Sequence, residues 1–184
     1  MPSTISTTPG AISPHGGSLI DRVVPPSQVD DALKHAASLP KVLLDERTRA
    51  DLELIATGAF SPLEGFVRRD EYASVVKNLR LPSGAIFPVP ITLTAPDEVA
   101  RALKPGQQIA LVVDDGDGPQ IVGTQTVDEV FPIDRSLEAE LVYRTHDRAH
   151  PGVAYLYERA HDLSIGGPVQ LLRRSIDRKF PAHH

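Results

Sequence analysis

The sequence predicts a compact α+β fold, closer to a small barrel than to a doubly wound sheet. Three observations predict it. Seventeen prolines and thirteen glycines are scattered between short apolar runs, the pattern of many brief elements joined by tight turns. The hydrophobic period is helical up to Leu79 and becomes alternating from Phe87 onward. Helices and strands do not alternate regularly and no repeat is evident, so a parallel βαβ sheet is not indicated.

The elements follow in order. Residues 1–13 are rich in Ser, Thr, Pro and Gly and are expected to form a flexible arm. Residues 14–174 form the predicted domain, and residues 175–184 a tail. Ser18 to Val24 reads as a short strand. Asp30 to Leu39 reads as a small helix with Ala32, Leu33, Ala36 and Ala37 on one side, followed by the apolar run Val42-Leu43-Leu44. Asp45 is a suitable N-cap for a helix carrying Leu52, Ile55 and Ala56, and Gly58 suits its left-handed end. Asp70 is the expected cap of a second helix with Tyr72, Val75, Val76 and Leu79 on its apolar face; Leu81-Pro82-Ser83-Gly84 closes it. Phe87 to Thr94 reads as a partly edge-type strand, because prolines interrupt its alternation. Asp97 to Leu103 is a short helix. Gln108 to Val113 and Gln120 to Phe131 form a hairpin across the turn Asp114-Asp115-Gly116-Asp117-Gly118. Ser136 to Tyr143 gives no clear period. Pro151 opens a helix with Val153, Ala154, Leu156 and Tyr157. Leu163–Ile165 and Pro168–Leu172 read as closing strands split by Gly166-Gly167.

Length and composition exclude several classes. At 184 residues with 41% hydrophobic content, the chain supports one substantial core, built on aliphatic residues since Trp is absent. The net charge is −5, and Arg68-Arg69 and Arg173-Arg174 are short pairs without a basic stripe, so nucleic acid is not an expected partner. There is no cysteine, which excludes disulfides and thiolate metal sites and suits a reducing cytoplasm. No basic segment followed by an apolar stretch opens the chain, so no secretory signal is expected. No apolar run approaches the roughly 20 residues of a membrane span.

The most specific stretch is Gly58-Ala59-Phe60-Ser61-Pro62-Leu63-Glu64-Gly65-Phe66. Glycines bracket a serine–proline turn between two helices, and phenylalanines anchor it. The stretch resembles the Gly-x-Phe-Ser-Pro-Leu-x-Gly-Phe signature near the start of ATP sulfurylase (sulfate adenylyltransferase). Five further motifs stand in that family's order. Pro14-His15-Gly16-Gly17 resembles its opening, and Leu52-Glu53-Leu54-Ile55 its helix before the loop. Phe87-Pro88-Val89-Pro90-Ile91-Thr92-Leu93 resembles its Pro-Ile-Thr-Leu strand. His150-Pro151-Gly152-Val153 resembles a helix start, and Gly166-Gly167-Pro168-Val169 the glycine pair near the end of its first domain. Each motif alone is weak; the ordered set is specific.

The resemblance implies a PUA-like fold, a small mixed unit built round a pseudo-barrel. In the family, sulfate oxygen attacks the α-phosphorus of ATP, giving adenosine 5′-phosphosulfate and pyrophosphate, with magnesium on the nucleotide. A second domain supplies the gripping residues through Gln-x-Arg-Asn-Pro and His-x-x-His stretches. Neither pattern occurs in this chain. The resemblance therefore implies a supporting N-terminal domain with no cofactor of its own, Mg-ATP belonging to a catalytic domain or a full-length enzyme as partner. The alternative is a stand-alone PUA-like module binding RNA, a small anion or a partner protein.

Other residues invite sharper readings, each weighed against a plainer one. Ser61 has no neighbouring base and no Gly-x-Ser-x-Gly elbow, so a nucleophile is not indicated. His15 with Gly16 and Gly17 could cradle an anion through backbone donors, but the spacing fits no phosphate loop and a packed turn is preferred. His146, His150 and His161 with Asp147 and Asp162 are residue types that can hold a metal, yet Pro151 disfavours helix at His150, which is better placed as a cap. Asp114, Asp115 and Asp117 resemble part of a calcium loop, but position 125 is Gln rather than the closing glutamate. No catalytic, cofactor-binding or metal-ligating residue is therefore assigned, and the signature residues are read as structural or interface positions.

Overall fold

The structure is a computed structural model that describes residues 12–116 and 118–173. The predicted arm lies almost wholly outside these residues, and the tail entirely so. A 3-10 turn, Pro26–Gln28, precedes α1 (Val29–Ala37). Then come β1 (Lys41–Leu43), α2 (Glu46–Ala56), β2 (Gly65–Phe66), α3 (Arg69–Asn78), β3 (Thr94–Ala95) and α4 (Asp97–Ala102). They are followed by β4 (Gln108–Asp114), β5 (Pro119–Thr126), β6 (Glu129–Pro132) and α5 (Arg135–Glu138). A π-helical turn (Ala139–Tyr143), α6 (Pro151–Glu158) and β7 (Leu163–Leu171) complete the fold.

The seven strands form one mixed sheet in the order β1-β4-β5-β7-β2, with β3 and β6 also paired to β7. It curls into a half-barrel around β7. The first half of β7 sits between β3 and β6, and the second half between β5 and β2. The partner change falls at the glycine pair, where Gly167 has a φ of +146°. The pair thus bends one continuous strand around a barrel corner and does not divide two strands as the sequence suggested.

Three further expectations are corrected. Ser18–Val24 is not a strand: it makes a single parallel bridge, Val23 to Leu171, before Pro25 and Pro26 end the pairing. Phe87–Thr94 contributes only Thr94 to a ladder, as the first residue of β3. Pro88 and Pro90 have no N–H to give, so the segment serves by accepting: Ile91 O takes the Val67 N–H and Leu93 O the Ile165 N–H. Gln120–Phe131 breaks at Val127-Asp128, and its two parts follow different halves of β7. The β4–β5 hairpin stands as expected, with a register shift after Leu111.

The main core lies between the sheet and α2 and α3, and Leu52, Ile55, Phe66, Val75, Leu111, Phe131, Ile165 and Leu171 are buried in it. A smaller cluster of Val24, Ala36, Ala110 and Leu172 packs α1 on the other face. Both faces of β4 are covered, which explains its unbroken apolar run.

Asp45 caps α2 as expected, accepting the Thr48 N–H at 2.8 Å. Asp70 does not cap α3. Arg68 holds that position in extended backbone, and its N–H is taken by Glu71 across the first turn. Asp70 lies one residue inside the helix and accepts from the Glu71 N–H. The unassigned stretch Ser136–Tyr143 is helical, passing from α5 into the π turn.

Candidate functional site

The signature loop folds into a clasp that closes on the other motifs. Gly58 ends the α2 region at φ +85°, and a Cβ there would lie 2.4 Å from the Ile20 carbonyl oxygen. Ser61 is buried; its hydroxyl donates to Gly58 O at 2.7 Å and accepts the Ile20 N–H at 3.0 Å. The Ser61–Pro62 peptide is cis, and the Pro62 ring lies against Gly16 of the Pro-His-Gly-Gly turn. His15 Nε2 reaches Ile86 O at 2.7 Å. Phe60 meets Phe87 edge to face at 6.2 Å, while Leu63 and Phe66 are buried. Glu64 pairs with Arg22.

The clasp is closed by backbone contact. Gly65 pairs with Pro168 and Phe66 with Gly167. A Cβ on Gly65 would lie 1.9 Å from Gly167 O, so no side chain fits between the strands. The motifs seen separately in the sequence are thus one contiguous packing unit. The Ser61 hydroxyl is engaged both as donor and as acceptor within this unit.

The His150-Pro151-Gly152 start behaves as a cap: His150 Nδ1 accepts the Gly152 N–H at 3.2 Å, and the Tyr143 ring lies over Gly152. His146, His150 and His161 do not converge. Asp147 accepts the Ala149 N–H, Asp162 pairs with Arg135, and no metal-holding group of three or more His, Asp or Glu exists among the described residues. Asp114 accepts the Gly116 N–H as an ordinary turn residue, and Asp117 lies outside the described residues.

A second constellation carries the unusual electrostatics. Arg47 of α2 lies 4.3 Å over the Tyr155 ring, is hydrogen-bonded to Tyr143, and stands 3.9 Å from Asp51. Burial works against its charge, yet Tyr143, Asp51 and Tyr155 outweigh that and hold it firmly protonated. Asp51 is pushed up to about 6 by burial, which Arg47 only partly offsets. Glu138 is pushed up to about 7 by burial, against the lowering pull of the Tyr72 hydroxyl that donates to it at 2.9 Å. Burial, with Glu138 beside it, also raises Tyr72. Two carboxyls with weakened acidity therefore flank one cation between α2, α3, α5 and α6.

The model of the PUA-like domain matches residues 12–174. The chain belongs to that family. This PUA-like domain also matches the N-terminal part of sulfate adenylyltransferases. It is 42% identical to the enzyme of Synechococcus sp. (strain JA-3-3Ab) over 94% of this chain and 43% of that one. To the Schizosaccharomyces pombe enzyme it is 45% identical over 74% of this chain and 28% of that one. Among solved structures, a hexameric APS kinase from Thiobacillus denitrificans superposes with a TM-score of 0.67 at 28% identity, covering 94% of this chain and 29% of that one. The chain spans less than half the length of these curated relatives.

Sequence reasoning found the clasp of the PUA-like domain and missed the Arg47 constellation. A signal was present: Arg47 and Asp51 are four apart on α2, and Asp51 shares the face of Leu52 and Ile55. A carboxylate on an apolar helix face calls for a buried partner.

Proposed function

We propose that this chain is the N-terminal scaffolding domain of a sulfate adenylyltransferase and takes no direct part in the chemistry. The observation carrying this reading is 42% identity to a sulfate adenylyltransferase over 94% of the chain. The geometry agrees with it. The signature residues hold one another, and their buried polar atoms are occupied internally. Joining sulfate to the α-phosphorus of ATP needs cations placed around a spreading negative charge. The half-buried cation Arg47 is instead committed to tyrosines and a carboxyl group within the fold. In this reading the partner is a catalytic domain or the full-length enzyme, and Mg-ATP binds there. A cytoplasmic location belongs to the same reading. The chain has no cysteine, and no helix of the described residues is long and apolar enough to cross a membrane.

The test is turnover. The chain alone, given ATP, sulfate, magnesium and pyrophosphatase, is expected to release phosphate at the blank rate. Adenosine phosphosulfate formed at an enzyme-like rate overturns the reading.

A further inference from the structure

A half-open pocket of about 360 Å³ lies beside the outer strand β1, bounded by β3, the start of α4 and the end of α6. Its size falls within the roughly 300–1,000 Å³ of small-ligand sites. None of the family-signature residues lines it. Its floor is apolar, with Val42, Leu44 and Ala95 buried there. Tyr155 supplies a flat wall. Arg47 covers that ring at 4.3 Å, and its hydroxyl is hydrogen-bonded to Asp45, so the wall is braced from behind.

Three basic side chains also line the pocket: Lys41, Arg159 and His161. Among the described residues neither Lys41 nor Arg159 forms an ion pair, whereas Arg22, Arg68 and Arg135 pair with Glu64, Asp128 and Asp162. The His161 ring has no hydrogen bond among the described residues; only its backbone N–H is engaged, to Thr94. One acid, Asp45, shares the lining, but it accepts from the Thr48 N–H and hydroxyl at 2.8 and 2.7 Å. The start of α2, the positive end of its dipole, opens on the same space through Asp45 and Thr48. At the end of α6, Tyr155 O is occupied by the Arg159 and Ala160 N–H groups, and the Arg159 side chain remains free to turn to a ligand.

We propose that this pocket binds the phosphate monoester of a compact apolar or planar group. The body rests on Val42, Leu44 and Ala95 against Tyr155, and the phosphate is held by Lys41, Arg159 and His161. Two fixed cations and an imidazole suit a dianion better than a single carboxylate. The buried floor gives an apolar body a reason to be there.

Phenyl phosphate is a suitable probe, titrated into the full chain and followed by backbone amide shifts. Saturable shifts at Leu43, Ala95, Val99 and Arg159 are expected, with a Kd below about 1 mM. Inorganic phosphate and phenol should each bind at least about tenfold more weakly, because each satisfies half the site. Lys41 and Arg159 are exposed, so Lys41→Ala and Arg159→Ala should keep the fold, and each should weaken binding at least about fivefold. Three results overturn the proposal: no saturation, shifts confined to another surface, or equal affinity in the Lys41→Ala/Arg159→Ala double variant. Inorganic phosphate binding as tightly as phenyl phosphate overturns it too. None of these outcomes bears on the scaffolding role, which turnover decides.

Discussion

The clasp and the Arg47 constellation hold the same domain together by opposite means. The clasp is made of backbone: glycines that admit a neighbouring carbonyl, a proline ring seated on another turn, and a serine hydroxyl joining two main-chain groups. The constellation is made of long side chains, with one cation shared among two tyrosines and a carboxyl group. A backbone contact tolerates few residue types, so it leaves a sharp motif in the sequence. A side-chain network can be met by residues far apart in the chain, so it leaves almost none. The difference also sets how each region should fail: the clasp sterically and at every pH, the constellation electrostatically and with pH.

Gly65→Ala should have the largest effect. Its Cβ would lie 1.9 Å from Gly167 O, so β2 and β7 must separate. A loss of at least about 3 kcal/mol is expected, independent of pH, by urea unfolding. A loss under about 1 kcal/mol would show that the clasp yields easily.

Arg47→Met should come next. It keeps much of the stem's packing but leaves Asp51 without its lowering partner and Glu138 with the Tyr72 hydroxyl alone. Removing the cation from this half-buried set should cost about 2 kcal/mol after screening by solvent, more near about pH 8 than near about pH 5. Equal losses at both would mean that Arg47 acts through packing alone.

The carboxyls themselves follow. Asp51 rises from 3.8 to about 6 and Glu138 from 4.5 to about 7 on folding. Each therefore binds its proton more tightly in the folded state. Their contribution is full below about pH 4 and is lost as pH rises through about 6 and 7. Asp51→Asn and Glu138→Gln should flatten that decline, gaining on the order of 1–2 kcal/mol near about pH 8 and little near about pH 4. An unchanged slope in the double variant would remove the constellation as its source.

Asp45→Ala should cost least, about 1 kcal/mol, by freeing the Thr48 N–H at the start of α2. Thermal melting resolves a change of that size.

What could be read from the chain follows the same division. The helices α1, α2, α3, α4 and α6 and the β4–β5 hairpin were visible because each is local, with its own period, cap or turn. The two caps at Asp45 and His150 are likewise legible from neighbouring residues. Apart from the cap of α3, placed at Asp70 and held by Arg68, the errors lie where pairing is long-range. Phe87–Thr94 has a strand's alternation, but its prolines remove the donors that a ladder needs. Gly166-Gly167 looks like a break because a strand turning a barrel corner and a strand ending use the same residues. In the candidate site, the signature-loop, Pro-His-Gly-Gly and glycine-pair residues were named from their motifs, while Ile20, Arg22 and Ile86, which they hold, were not. Arg47 and Glu138 were not, since nothing near either in the chain announces a partner 91 positions away.

β7 is the last described element, and four strands and the Val23 bridge depend on it. During synthesis the chain emerges from its first residue onward, so most of the sheet waits without a central member until Leu163–Leu171 leaves the ribosome. The hairpin and helices can form earlier, but the barrel cannot close. Such a domain is at greatest risk of misassembly while its final strand is still inside the exit tunnel.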